Sequence, residues 1–329
     1  MCRRVKRPDQ PAAPDERHFR PPRPTVILGR MNTLLAYANG NWIPATELSI
    51  AVDDVGFLLG ATVTERLRTF RGQVFRLVEH LRRMRRSLEI VGLDASAIAA
   101  ELTPTIPEFV AKNAGQIAPD DDWTINAFVT PGAAGSGRPT ICVHGWPLRF
   151  REWVADYERG LPVVVSDIRQ VPDNCWPSEL KCRSRMHYYL ADKRAKSWRP
   201  GARAILLDQE GYVAESTTAN VVVYREHEGL STPPDDNVLV GISLGVVHEL
   251  AGRLGIPFMR RRITADELRS ADEVMLTSTS VCLLPVVECG GQPIGAGRPG
   301  PTFKKLLAAW GELVGVDIAA QARRYASRK

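Results

Sequence analysis

Three features of this 329-residue chain combine residue type and spacing in ways that could do chemistry: an amine, a hydroxyl and a glycine-rich turn. The amine belongs to Lys181, in "SELKCRSRMHYYLADKRAK" (Ser178–Lys196). Most of the eight lysines fall where a solvated side chain is expected. Lys181 instead follows a strand and is expected at a helix start, where a side chain can point into the crevice between layers. Positive potential at a helix N-terminus disfavours the ammonium form, and a neutral amine can attack a carbonyl.

The hydroxyl is Ser243 in "GISLG" (Gly241–Gly245), which matches the G-x-S-x-G turn of a hydrolase nucleophile. In that fold the acid and the histidine follow the serine, and here the only downstream histidine is His248, on the same helix. It cannot fold back to form a triad, so the hydrolase reading fails. The turn is "GAGRPG" (Gly295–Gly300), which matches G-x-G-x-x-G. A dinucleotide site needs a complete βαβ unit and an acid about twenty residues on. The segment after Gly300 holds one helix and no second strand, so this is a loop.

Composition bounds the protein that must position these groups. With 44% hydrophobic and 24% charged residues it is expected to be soluble, and no apolar run approaches the roughly 18 residues that span a bilayer. A formal charge of +6 would permit a nucleic-acid partner. In "FRLVEHLRRMRRSLEIVGL" (Phe75–Leu93), however, Leu77, Leu81, Met84, Leu88 and Val91 form a buried helical stripe. Arg82, Arg83, Arg85 and Arg86 then read as the solvated face of a core helix, and neither nucleic acid nor membrane is expected as a partner. The six cysteines show no C-x-x-C pairing and follow no secretory signal, which fits a reducing cytoplasm without disulfides. The six histidines lack ligand spacing, so no metal is expected.

The organisation expected is α/β (α+β) in two domains. Residues 1–30, with six prolines and many charges, read as a disordered basic tail, and folding is expected to start at Met31, also a candidate translation start. A small α/β domain spans 31–153, opening on a hairpin at Asn39-Gly40 and including strands at "WTINAFVTPG" and "PTICVHGW". A larger domain spans 154–329, with "ARAILLDQEGYVAE" as a hairpin, "NVVVY" and "ADEVMLTSTS" as strands and "SLGVVHELAGRLGI" as a helix.

The motifs gain weight as an ordered set. "VTERLRTFRGQVFRLVEHLRRM", the segment at Lys181, "GYVAESTTANVVVY", "LSTPPDDNVLVGISLGVVHELA" and "ADEVMLTSTSVCLLPV" together resemble the class IV pyridoxal-phosphate aminotransferases, from about Met31 to Gly315. That family contains the branched-chain and D-amino-acid aminotransferases and 4-amino-4-deoxychorismate lyase. The resemblance implies fold type IV, a small α/β domain beside a larger barrel-like one, with pyridoxal 5'-phosphate between them in a homodimer.

Position by position, the resemblance makes Lys181 the lysine that holds the cofactor and shuttles the substrate proton. Glu215 resembles the carboxylate paired with the pyridine nitrogen; its plain alternative is a surface acid on a strand edge. Arg68, in "RLRTF", resembles the arginine on the cofactor phosphate. Ile242 and Ser243 resemble the helix start that binds the same phosphate, Ser243 serving as cap and ligand, with Thr279 completing the cup and Asn220 beside it. Two departures stand out: Met186 lies where branched-chain members carry a tyrosine, and Leu244 replaces an arginine. Tyr188 or Tyr189 could stand in for the tyrosine.

For the reaction, the resemblance implies ping-pong transfer between an amino acid and a keto acid. In a strand Asn126, Phe128 and Thr130 share one face, and that mostly uncharged wall, with Ser280, suits a branched-chain or similar aliphatic amino acid, with 2-oxoglutarate as partner. D-amino-acid transfer and aminodeoxychorismate lysis use the same lysine and glutamate and stay open.

Overall fold

The structure, a computed structural model, describes residues 33–328. The expectations for the tail at 1–30 and for Met31 lie outside the described residues.

The first sheet is assembled from β1 (Leu35–Ala38), β2 (Asn41–Pro44), β3 (Val63–Phe70), β4 (Gln73–Val74), β5 (Trp123–Thr130) and β6 (Thr140–Pro147), in the order β2-β1-β6-β5-β3-β4. The β1–β2 hairpin turns at Asn39 and Gly40, both at positive φ, as the expected Asn-Gly turn requires. Against this sheet pack α1 (Val55–Leu58), α2 (Leu77–Ile90) and α3 (Ala95–Asn113). Alternation on the strands and the α2 stripe meet in one core, where Leu67, Ile125, Met84, Leu88, Phe109 and Trp123 are buried. Emptying such a site, as in Leu88→Ala, costs about 2–5 kcal/mol.

The second sheet is built from β7 (Leu161–Val165), β8 (Arg203–Leu207), β9 (Val213–Ser216), β10 (Ala219–Arg225), β11 (Gly229–Thr232), β12 (Phe258–Arg260), β13 (Glu273–Ser278), β14 (Cys282–Cys289) and β15 (Gln292–Pro293). Its path runs β12-β11-β10-β13-β14-β7-β8-β9, and β9 also pairs with β10. Six strands therefore close on themselves, which is the barrel-like unit expected. Around it lie α4 (Asp156–Arg159), α5 (Met186–Trp198), α6 (Ile242–Arg253), α7 (Ala265–Arg269), α8 (Pro301–Val314) and α9 (Ile318–Tyr325). "GAGRPG" is the loop before α8, as expected.

One expectation fails here. Lys181 does not open a helix: α5 begins at Met186, and Lys181 lies in the irregular segment before it. Strand β3 holds that segment instead. The Thr64 N–H donates to Lys181 O at 3.0 Å and the Arg183 N–H to Thr62 O at 2.9 Å. On its other side the Lys181 N–H donates to Ser87 Oγ of α2 at 3.1 Å.

Candidate active site

A cavity of about 540 Å³ gathers side chains from both sheets. Lys181 lines it, together with Glu215, Asn220, Ile242, Ser243, Thr279 and Ser280, so seven of the nine residues expected at the site share one space. Lys181 is part-buried there. Burial, reinforced by the Arg83 and Arg185 guanidiniums, pulls its pKa down to about 7, against the opposing pull of Glu65 and Glu215. The positive potential expected of a helix terminus comes from two arginines.

Glu215 sits on β9 opposite Asn220 of β10, at the seam that closes the barrel. The hydroxyl of Tyr188 and Nε2 of Gln170 both donate to its Oε1, each at 2.5 Å. Among the described residues no hydrogen bond engages Oε2. Burial raises the Glu215 pKa, while Tyr188, Lys181 and Gln170 pull against that rise. Of the two candidate substitutes for the absent tyrosine, Tyr188 is thus a partner of Glu215, and Tyr189 is exposed.

Ile242 and Ser243 form the first turn of α6, whose N-cap is Gly241. Ser243 is therefore not the cap, a correction: it lies inside the first turn and makes no capping bond. Orphan N–H groups of that turn are available to an anion. Gly241 leaves room for this arrangement, since a Cβ there would sit 2.0 Å from Asn220 Oδ1. Asn220 is fixed by its Nδ2 bond to Leu239 O at 2.8 Å. Leu244, where an arginine was absent, is buried in the core.

Two expected residues lie elsewhere. Arg68 does not line the cavity: it is 1% exposed, and its fork donates to Ser280 O, Cys282 Sγ and Gln321 Oε1, with Asp122 at 3.5 Å. All its donors toward the second sheet are in use, so Arg68 ties the two sheets together outside the cavity. Phe128 also misses the cavity and packs edge-on against His144.

Among the arginines that do line the cavity is Arg83. It was expected on a solvated face, yet its side chain is 12% exposed and forks onto Glu65 at 2.7 and 2.8 Å, with Nη1 donating to Val240 O at 3.0 Å. Glu65 also meets His80 at 2.8 Å; burial works to raise its pKa, but Arg83 and His80 outweigh this and hold it far below the usual range. The spacing of His80, Arg83 and Ser87 on one helical face was the signal available in the sequence. Gln170 and Tyr188 carried no comparable signal.

Comparison with known proteins points the same way. Residues 62–289 match the family model "Amino-transferase class IV". The chain belongs to the class IV aminotransferases. Such enzymes use pyridoxal phosphate. This class IV aminotransferase is 30% identical to the D-alanine aminotransferase of Bacillus licheniformis over 280 residues, 82% of this chain and 94% of that one. It is similar to the branched-chain aminotransferase of the archaeon Thermoproteus uzoniensis with norvaline, at 26% identity and a TM-score of 0.76, covering 86% of this chain and 95% of that one. It is also similar to the T.th. branched-chain amino acid aminotransferase complexed with N-(5'-phosphopyridoxyl)-L-glutamate, at 25% identity and a TM-score of 0.74, again covering 86% of this chain and 95% of that one.

The cavity of this class IV aminotransferase fits such a cofactor on its own residues. It offers an enclosed amine of lowered pKa, a carboxylate oxygen without a partner among the described residues, and a helix start freed of a side chain at Gly241. No helix among the described residues is long and apolar enough to cross a membrane.

Proposed function

We propose that the chain transfers amino groups between an amino acid and 2-oxoglutarate, with Lys181 holding pyridoxal phosphate and carrying the substrate proton. The observation that carries this reading is the Lys181 amine, enclosed in the cavity with its pKa brought down to about 7. When bound, the cofactor supplies the electron sink that makes the substrate's α C–H acidic. Lys181 Nζ would take that proton and deliver it to the carbon on the far side of the substrate nitrogen, which a group titrating near neutrality does efficiently. Oε2 of Glu215 would accept a hydrogen bond from the protonated ring nitrogen, and Tyr188 and Gln170 would orient the carboxylate. Arg83 and the first turn of α6, with Thr279, would hold the phosphate.

The aliphatic preference expected from Phe128 and Thr130 is not retained, since Phe128 packs on His144 and Thr130 bonds to Asp54. We take the boundary near 153–154 to separate a small domain from a cofactor-binding one. A homodimer is supported by the exposed apolar run Phe57, Leu58 and Leu59, with Val52 exposed a few residues before it. A cytoplasmic setting is supported by the described cysteines, Cys142, Cys175, Cys182, Cys282 and Cys289, all of them free.

Borohydride reduction of the loaded protein followed by peptide mapping tests the assignment. The label is expected on Lys181, and label on Lys193 or Lys196 would overturn it. A panel of L-glutamate, L-leucine, D-alanine and aminodeoxychorismate then reads the reaction. Pyruvate release from aminodeoxychorismate with no amino transfer from the other three would replace the transaminase with a lyase.

A further inference from the structure

Gln170, beside Glu215, is buried and has a fixed backbone. Its N–H donates to Leu207 O of β8 at 2.9 Å, and its carbonyl oxygen accepts from Gln209 Nε2 at 2.7 Å. The side-chain amide is the part with a choice. Turned by half a revolution it fills the same space with oxygen and nitrogen exchanged, and it presents the opposite hydrogen-bonding character to its neighbours.

Two oxygens lie on one side of that amide. Gln170 Nε2 donates to Glu215 Oε1 at 2.5 Å and to the Tyr188 hydroxyl oxygen at 3.1 Å, while the Tyr188 hydroxyl gives its own hydrogen to Glu215 Oε1. A turned amide would set a carbonyl oxygen against the carboxylate. Glu215, already pushed toward its neutral form by burial, would then take up a proton or swing away. Lys181 and Arg185 face Glu215 as cations and favour its charged form whichever way the amide points.

On the other side stands His187, the second residue of α5, with Nε2 3.2 Å from Gln170 Oε1 and its ring 4.0 Å from that of Tyr188. An amide oxygen can only accept, so Nε2 carries the hydrogen. Burial, with Arg185, lowers the His187 pKa, so at neutral pH the ring holds a single N–H and this contact places it at Nε2. A turned amide would put its NH2 against that N–H, donor on donor. The bond that His187 makes to the amide oxygen also polarises the amide and strengthens its NH2 as a donor to Glu215.

We propose that His187 is a positioning residue for Glu215, acting through Gln170. Its Nε2–H locks the amide with the nitrogen toward the carboxylate and so keeps Glu215 anionic. The proposal rests on the reading above that Glu215 meets the cofactor's ring nitrogen, and it adds the residue that decides which way Gln170 points.

Two substitutions separate the donor from the ring. His187→Phe keeps an aromatic ring against Tyr188 and removes the N–H; His187→Gln removes the ring and returns an N–H at a similar reach. In the loaded protein kcat should fall about tenfold in His187→Phe, as expected for one lost hydrogen bond, with KM and cofactor affinity little changed. His187→Gln should recover most of that loss. In a Gln170→Met background, where the relay is already cut, His187→Phe should add no more than about twofold. Carbon-13 NMR of the Glu215 carboxyl in the cofactor-free protein gives a readout apart from turnover. Its titration midpoint should lie about one pH unit higher in His187→Phe and return in His187→Gln, with circular dichroism verifying the fold of each. A larger defect in His187→Gln than in His187→Phe, additive losses in the Gln170→Met background, or an unmoved Glu215 midpoint overturns the proposal. Absence of amino transfer in the unmodified protein defeats the transaminase reading alone, because the Glu215 midpoints still decide the relay.

Discussion

Tyr188 and Glu215 are joined by a 2.5 Å hydrogen bond from hydroxyl to Oε1, and Gln170 donates to the same oxygen. The two donors fix the carboxylate from behind and leave Oε2 without a partner among the described residues. Glu215→Gln should keep the cofactor bound and slow proton abstraction by about 100-fold or more, as a neutral amide no longer favours the protonated ring nitrogen. Tyr188→Phe removes one orienting bond to a charged group and should cost about tenfold in kcat. Single-turnover absorbance measures both, and equal, complete loss of cofactor in the two variants would falsify the division of roles.

The depressed pKa of Lys181 sets a pH dependence. Because the enclosed amine titrates at about 7 rather than near its ordinary value, it is mostly neutral above pH 7 and charged below. Cofactor capture by the cofactor-free protein should therefore speed up as pH rises through about 7 and then level off. Arg83→Gln removes a cation that lowers this pKa, so the rise should move to higher pH. Stopped-flow absorbance between pH 5 and 9 gives the profile, and a rate still climbing steeply at pH 9 in the unmodified protein would contradict the assignment.

Arg68 and Arg83 should fail in opposite ways. Arg68→Ala leaves Asp122 buried without its cation and should cost about 3–5 kcal/mol of stability, with cofactor affinity little changed in the folded fraction. Arg83→Gln should weaken cofactor binding at least about tenfold. Thermal melts and cofactor titration separate the two, and the reverse pattern would return the phosphate role to Arg68.

Gly241→Ala places a Cβ where Asn220 Oδ1 now sits, 2.0 Å away. Either the asparagine or the first turn of α6 must shift, so cofactor affinity should drop while the melting temperature moves little. Unchanged affinity would mean that this turn does not hold the phosphate.

The sequence disclosed the elements better than it disclosed side-chain direction. The hairpin at Asn39, the α2 stripe, the strands around Val221 and Leu276 and the start of α6 all follow from local turn chemistry and periodicity. Lys181 was legible as an unusual lysine for a reason that did not hold, since its neighbours come from β3 and α2 through long-range hydrogen bonds that no local pattern encodes. Arg66 and Arg68 alternate identically on β3, yet one lines the cavity and the other ties into β14 and α9. Only packing of the second sheet across the strand end separates them. Arg83 looked solvated because its neighbours Arg82, Arg85 and Arg86 are, and its burial depends on Glu65, placed by β3.

The Arg68 tie bears on how the molecule comes apart. One guanidinium joins β3, the turn at Ser280, β14 and α9, and Gln321 of α9 returns a bond of 2.7 Å to Asp122 beside β5. Neither sheet can open without stranding a buried charge, and the last helix is part of the same knot. Calorimetry should accordingly record a single melting transition in which both sheets and the C-terminal helix are lost together.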